Sequence, residues 1–374
     1  MSFYYDYSTM VGWQGTPTGI PRTVYYLAQE LSALVSDFKL VAIDNSLGAF
    51  HHVELTDDGA VVKEKVDFSA EDVLFSAGAN WAFACYINEI KRIKIVGVRY
   101  IQLFYDIIPE LFPYFYQDGV GFGDYIGRWV DDSVALCDQS FAISECTKKD
   151  IVLRSRNLGI DMQNMEVIRL GDDFKTNTRS ECGVGRYDKG ERFILCVGTL
   201  EIRKNQVALL HAYRLLHQRH PEQILPRLVL VGRKGWNDGD ISFQVENDRV
   251  LNKLVDVITD ASDDELSWLY SNCLFTLFPA LYEGWGLPVA ESLWYGKPCI
   301  SSNTSSMVEI APELTVFASP YSVESWVEQI ERLLFEPGML EMQTERVIRE
   351  YMPTKWHDTA ATIKDVILKS IQSE

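Results

Sequence analysis

The run Leu274-Phe-Thr-Leu-Phe278-Pro-Ala-Leu-Tyr-Glu283-Gly284-Trp285-Gly286-Leu287-Pro288-Val289-Ala290-Glu291 decides how this chain is read. Its apolar start predicts a short buried strand. The two glycines then permit a tight turn with unhindered backbone approach, and Pro288 suits a first helical turn, where a missing N–H costs nothing. Glu283 therefore belongs to a loop and Glu291 lies about one turn inside a helix, so two carboxylates can reach one ligand from different directions. A capping role for Glu283 and a surface ion pair for Glu291 would also account for them, and Glu-x7-Glu spacing is common by chance. Its place directly after a buried strand, with Gly-x-Gly-x-Pro between the acids, favours a ligand site.

Upstream, Phe193-Ile-Leu-Cys-Val-Gly198-Thr-Leu-Glu201-Ile-Arg203-Lys204-Asn205 reads as a second buried strand, a glycine-containing loop and a helix opening near Asn205. Two cations just before a helix start combine fixed positive charge, free backbone N–H groups and a favourable dipole, which suits a diphosphate. The plainer reading is a pair of solvated loop cations. Downstream, Gly296-Lys-Pro298-Cys-Ile-Ser301-Ser-Asn-Thr-Ser-Ser306-Met-Val-Glu309 supplies a further strand and a serine-rich loop.

Across the 374 residues, short β-branched or aromatic runs alternate with segments of helical period, the pattern of parallel sheets with helices on both faces. The first half predicts strands near 2–5, 39–43, 72–75, 98–104, 139–143 and 165–169, with helices near 20–36, 81–92, 124–137 and 144–157. The second predicts strands near 193–197, 228–231, 255–258, 274–278, 298–301 and 315–317, with helices at about 204–219, 262–272, 286–296 and 305–311. The polar, aperiodic stretch 173–191 reads as a linker. The expected architecture is therefore α/β, with Rossmann-like domains over 1–172 and 192–352 facing across a cleft, and a closing helix over 353–374.

These elements, taken in order, resemble the large retaining glycosyltransferase family four, of GT-B architecture, and in particular bacterial mannosyltransferases of surface polysaccharide synthesis. The resemblance covers most of the chain and is strongest in the second half. It implies that Arg203 and Lys204, beside Gly198, hold the donor diphosphate and stabilise it as it leaves. It implies that Glu291 binds the ribose, that Glu283 faces the transferred sugar, and that the Gly284-Trp285-Gly286-Leu287 turn supplies N–H groups. The segment around Ile258 would meet the base. In the first half, Thr18-Gly19-Ile20-Pro21-Arg22 resembles the family's glycine-containing first loop, with Gly19 near phosphate and Arg22 near the acceptor. Tyr105-Asp106-Ile-Ile-Pro109 stands where relatives carry His-Asp-x-x-Pro, so Asp106 is expected at the chemistry and Tyr105 at the acceptor. Ser144-x-x-Thr147-x-x-Asp150 reads as a capped helix.

The implied reaction moves a hexose, mannose from GDP-mannose as first choice, from a nucleotide-sugar donor to a glycan or lipid-linked glycan. Neither a metal nor another cofactor is expected. A nucleotide-sugar epimerase of similar frame, or a non-catalytic nucleotide-sugar or glycan binder, are the alternatives. The formal charge of −18 argues against nucleic acid as the main partner. Cysteines at 85, 137, 146, 182, 196, 273 and 299 form no C-x-x-C pair, and the six His are dispersed, which fits reduced cytosolic thiols and no zinc site. The N-terminus lacks a basic segment leading into an apolar run, and no stretch approaches the ~20 apolar residues of a membrane span. A cytoplasmic location is expected, with any contact at the inner membrane face peripheral. Gly119-Val-Gly121-Phe-Gly123 reads as a flexible loop.

Overall fold

The computed structural model describes residues 1–57, 59–117, 119–160, 162, 164–172, 187, 190–235 and 239–372. Most of the expected linker, 173–186 with 188 and 189, lies outside the described residues. The chain divides into two compact units, one of Met1–Leu111, Val120–Gly171 and Thr354–Glu374, the other of Phe112–Gly119 and Asp172–Pro353.

The chain begins with β1 (Phe3–Asp6), α1 (Ile20–Leu34), β2 (Phe38–Asp44), β3 (Ala49–Thr56), β4 (Gly59–Lys65), β5 (Val73–Ser76), α2 (Tyr86–Val96) and β6 (Arg99–Phe104). It continues through α3 (Ile108–Leu111), α4 (Gly119–Leu136), β7 (Gln139–Ala142), α5 (Glu145–Asn157) and β8 (Met165–Val167). The sheet order is β4-β3-β2-β1-β5-β6-β7-β8, parallel except at β3, which runs antiparallel to both β2 and β4 and forms a hairpin with β4. That hairpin was not expected from the sequence. Most of β4 is exposed, so it lacks the apolar face that marks a strand.

The expected loop at Gly119–Gly123 is instead the start of α4. Close packing explains its glycine: a Cβ on Gly123 would lie 2.5 Å from the Pro109 carbonyl oxygen. Glycine here admits a neighbouring backbone rather than loosening the chain.

The second unit comprises β9 (Phe193–Val197), α6 (Gln206–Arg219), β10 (Arg227–Val231), α7 (Gly239–Asn247), α8 (Leu251–Leu254), β11 (Val255–Ile258), α9 (Asp263–Asn272) and β12 (Thr276–Phe278). After these come α10 (Leu287–Trp294), β13 (Cys299–Ser302), β14 (Val316–Ala318), α11 (Val323–Phe335) and α12 (Met339–Glu350). The final helix, α13 (Trp356–Gln372), returns to the first unit and packs along α1. The second sheet is wholly parallel, in the order β11-β10-β9-β12-β13-β14. Its strands are apolar on both faces because helices cover both. Leu228 and Leu230 of β10 enter one core cluster with Ile194 and Cys196, whereas Val229 and Val231 enter another with Phe193 and Leu195.

Chain order reverses at the β9–β12 pair: β10 and β11 build outward on one side, β13 and β14 on the other. The loops leaving β9 and β12 thus meet at the C-terminal ends of adjacent strands, where ligands bind in such sheets.

Candidate active site

Those two loops are the ones singled out by sequence, and the fold brings them together. After β9, Gly198 takes φ 152° and its N–H donates to the Val231 carbonyl at 2.9 Å. A short 3-10 turn, Ile202–Lys204, follows, and Asn205 adopts the left-handed conformation at φ 57° before α6 begins. The Asn205 amide donates to the carbonyls of Pro279 (3.1 Å) and Pro320 (3.0 Å). The Leu281 N–H donates to the Arg203 carbonyl at 2.8 Å. The cationic loop is therefore fastened to the loop after β12 by its backbone, independently of its charges.

The charged side chains then converge. Glu283 accepts Lys204 Nζ on Oε1 at 2.5 Å and pairs with Arg203 Nη1 through Oε2 at 2.7 Å. Arg203 also pairs with Glu201 at 2.8 Å and donates to the Tyr282 carbonyl at 3.1 Å. Lys204 Nζ lies 5.2 Å from the centroid of the Phe278 ring, within cation–π range. Burial pushes the Glu283 carboxyl up, but the charges of Arg203 and then Lys204, with their hydrogen bonds, outweigh it and hold the group below the usual carboxylate range. The solvated-loop reading of the two cations does not fit, since their side chains are only 16% and 14% exposed.

Hydroxyls of the serine-rich loop clamp the Glu283 backbone. Ser305 Oγ accepts the Glu283 N–H at 3.0 Å, Ser306 Oγ donates to the Glu283 carbonyl at 2.8 Å, and Thr304 Oγ1 donates to the Leu281 carbonyl at 3.1 Å. The Ser306 hydroxyl also reaches the Trp285 carbonyl. Ser305 itself has φ 49°, a conformation that costs a residue with a Cβ about 1–2 kcal/mol.

Glu291 is not a surface residue. It is 8% exposed on α10, and Oε2 accepts the Tyr270 hydroxyl at 2.7 Å. Tyr270 stacks on Tyr295 with ring centroids 5.1 Å apart. Gly286 caps α10 at φ 144°, with Pro288 in the first turn and the N–H groups of Gly286 and Leu287 at the helix start. Trp285 is buried, and Gly284 completes the turn. Ile258 ends β11, two strands from β9, and its carbonyl accepts the Gly232 N–H at 3.0 Å.

In the first unit, chain order reverses between β1 and β5. Gly19 caps α1 at φ 58° with open space where a Cβ would stand, and Arg22 follows within the first turn of α1. Asp106 is half-buried, and Oδ1 accepts the Ile108 N–H at 3.0 Å, capping the start of α3. The Tyr105 ring is only 7% exposed, and its hydroxyl donates to the Ala77 carbonyl at 2.6 Å. Thr147 Oγ1 holds the Tyr105 carbonyl at 2.8 Å, while Ser144 accepts the Thr147 N–H at 3.0 Å. The phenol of Tyr105 is thus a strut between strand ends, and Ser144-x-x-Thr147 caps α5 and braces the same loop.

Sequence reasoning did not assign roles to Asn205, Ser305, Ser306 or Glu201. Asn205 and the serines stood inside quoted motifs, but which backbone groups they hold depends on strand order. Among the described residues, no group of His, Cys, Asp and Glu is arranged to hold a metal ion, and no helix is long and apolar enough to cross a membrane.

With this geometry in place, the likenesses to known proteins are informative. Residues 183–350 match the family model of glycosyl transferases group 1. The chain is 26% identical over 277 residues to the O-antigen chain mannosyltransferase B of Escherichia coli, covering 71% of this chain and 69% of that one. It is 24% identical over 283 residues to the serotype-specific mannosyltransferase WbdA of Escherichia coli, covering 72% of this chain but only 33% of that longer protein. Its fold matches sucrose-phosphate synthase from Thermosynechococcus elongatus over the whole of both chains, with a TM-score of 0.68 at 14% identity. The chain is a glycosyltransferase of GT-B fold, and its residues 183–350 are similar to the glycosyl transferases group 1 family.

Proposed function

We propose that this enzyme moves a hexose, with mannose from GDP-mannose as first choice, onto a glycan or lipid-linked glycan in cell-surface polysaccharide synthesis. The transfer retains configuration and needs no metal ion. The observation that carries this reading is the convergence of Arg203, Lys204 and Glu283 on two loops at the strand-order reversal of the second sheet. The names of the O-antigen and serotype-specific mannosyltransferase relatives support the choice of sugar and of acceptor class. We place the reaction in the cytoplasm, with peripheral contact at the inner membrane face.

Glycosyl transfer builds positive charge at the anomeric carbon and negative charge on the departing phosphate. Preorganised cations and N–H groups around that phosphate lower the barrier. Arg203 and Lys204 take the diphosphate, the N–H groups of Gly286 and Leu287 at the start of α10 take its distal oxygens, and Glu291 accepts the ribose hydroxyls. The arriving diphosphate competes with Glu283 for the two cations, and the displaced carboxylate turns to the transferred sugar. The acceptor oxygen bonds to the anomeric carbon on the face the phosphate leaves, and its proton passes to a phosphate oxygen. Gly19 and, for the acceptor, Arg22 and Asp106 complete the assignment.

A panel of nucleotide sugars, followed for binding and for nucleoside diphosphate release, tests this reading. GDP-mannose consumed with release of GDP is expected, and Arg203→Ala is expected to slow it by about 10²- to 10³-fold. A new nucleotide sugar formed without acceptor would identify an epimerase instead. Donor binding without turnover in any acceptor mixture would identify a binding protein.

A further inference from the structure

Two successive serines hold both backbone polar groups of Glu283. Ser306, fully buried, donates to its carbonyl, and Ser305, half-buried, accepts its N–H. Ser305 does so from a left-handed backbone conformation at φ 49°, the region that favours glycine. The hydroxyl is what glycine could not supply at this position. That hydroxyl accepts the N–H of the residue whose carboxylate touches both Arg203 and Lys204.

We propose that Ser305 is a positioning residue for the donor sugar. Its hydroxyl fixes the Glu283 backbone, and so fixes where the Glu283 carboxylate stands between the two cations and the transferred sugar. The proposal rests on the reading of this site as the donor site. It predicts an effect on the sugar part of the donor rather than on the diphosphate, because Arg203 and Lys204 are anchored separately through the Arg203 carbonyl and the Asn205 amide.

The test begins with the wild-type protein titrated with GDP, UDP and their hexose conjugates. Failure to bind any of them overturns the donor-site reading, and the proposal with it. If one pair binds, Ser305→Gly and Ser305→Ala are titrated with the same pair. The expected result is about fivefold to tenfold weaker binding of the nucleotide sugar with the free nucleoside diphosphate bound no more weakly than before, and kcat about tenfold lower in both variants. Glycine relieves the backbone strain that alanine keeps, so the Gly variant should melt at or above the Ala variant. A purely structural role would make binding and turnover follow melting temperature, and a Gly variant with the wild-type affinity ratio and kcat would overturn the proposal.

Discussion

Lys204 Nζ lies 2.5 Å from Glu283 Oε1, so a cation assigned to the donor phosphates already holds a carboxylate within the protein. Arg203 is in the same position, with Glu283 at 2.7 Å and Glu201 at 2.8 Å. Two cations and two carboxylates cancel, and an incoming diphosphate competes with an internal anion. Replacing Glu283 by Gln removes one negative charge from the group and leaves the side chain's shape. Free nucleoside diphosphate is expected to bind several-fold more tightly to Glu283→Gln, on the order of 1 kcal/mol. Sugar transfer should slow at least tenfold, because the carboxylate assigned to the sugar is lost. Calorimetric titration and initial rates give both quantities, and weaker nucleotide binding in this variant would contradict the competition.

The same pair sets an acid dependence of stability. Glu283 is held below the ordinary carboxylate value of 4.5 because Arg203 and Lys204 outweigh its burial. A depressed folded-state value means the unfolded chain takes up the proton first, so the group stabilises the fold above its ordinary value. That contribution is lost as pH falls from about 4.5 through the lowered value. Wild type should therefore be more stable than Glu283→Gln at neutral pH, by on the order of 3 kcal/mol, and the gap should close in acid. Melting curves from pH 7 to pH 3 decide this, and a gap independent of pH would show that charge is not its cause.

Asn205 makes a separate, uncharged connection that can be ranked by substitution. Its left-handed backbone tolerates Asn and Gly but not Ala, and its amide is the donor to the Pro279 and Pro320 carbonyls. Asn205→Gly keeps the backbone and loses both hydrogen bonds, at about 1–3 kcal/mol. Asn205→Ala adds about 1 kcal/mol of strain. Melting temperatures should fall in the order Asn, Gly, Ala, and an Ala variant more stable than the Gly variant would contradict the backbone argument.

How far this site could be read from sequence depends on how local each signal is. β9 and β10 are continuous apolar runs, and Arg203, Lys204, Glu283 and Glu291 follow such runs in a recognisable order, so both strands and motif residues were legible. Neither the β3–β4 hairpin nor α7 was, because the hairpin's second strand is mostly exposed and, among its described residues, α7 buries only Ile241 and Val245. Asn205 and Ser305 act through backbone groups 74 and 22 residues away, a pairing that exists only once β9, β12 and β13 lie side by side. Tyr105 shows the converse. Its place in a motif suggested contact with the acceptor, while its buried phenol spans two strand ends.

The C-terminal helix provides a prediction independent of catalysis. Trp356 opens α13, is 2% exposed and stacks on Tyr26 with centroids 5.2 Å apart. Its indole lies so close to Gly171 that a Cβ there would sit 2.4 Å from the ring. Thr359 donates to the Arg169 carbonyl at 2.7 Å, and Ala360, Ile363 and Ile367 are buried behind it. This helix is therefore part of the first unit's core. Trp356→Ala should cost about 3–5 kcal/mol, and Gly171→Ala should also destabilise, because the ring has to move. In the double variant the added methyl enters the space the indole vacated, so the two costs should sum to more than the measured loss. Denaturant titration of the two single variants and the double variant measures that coupling, and strict additivity would mean that the two residues do not meet.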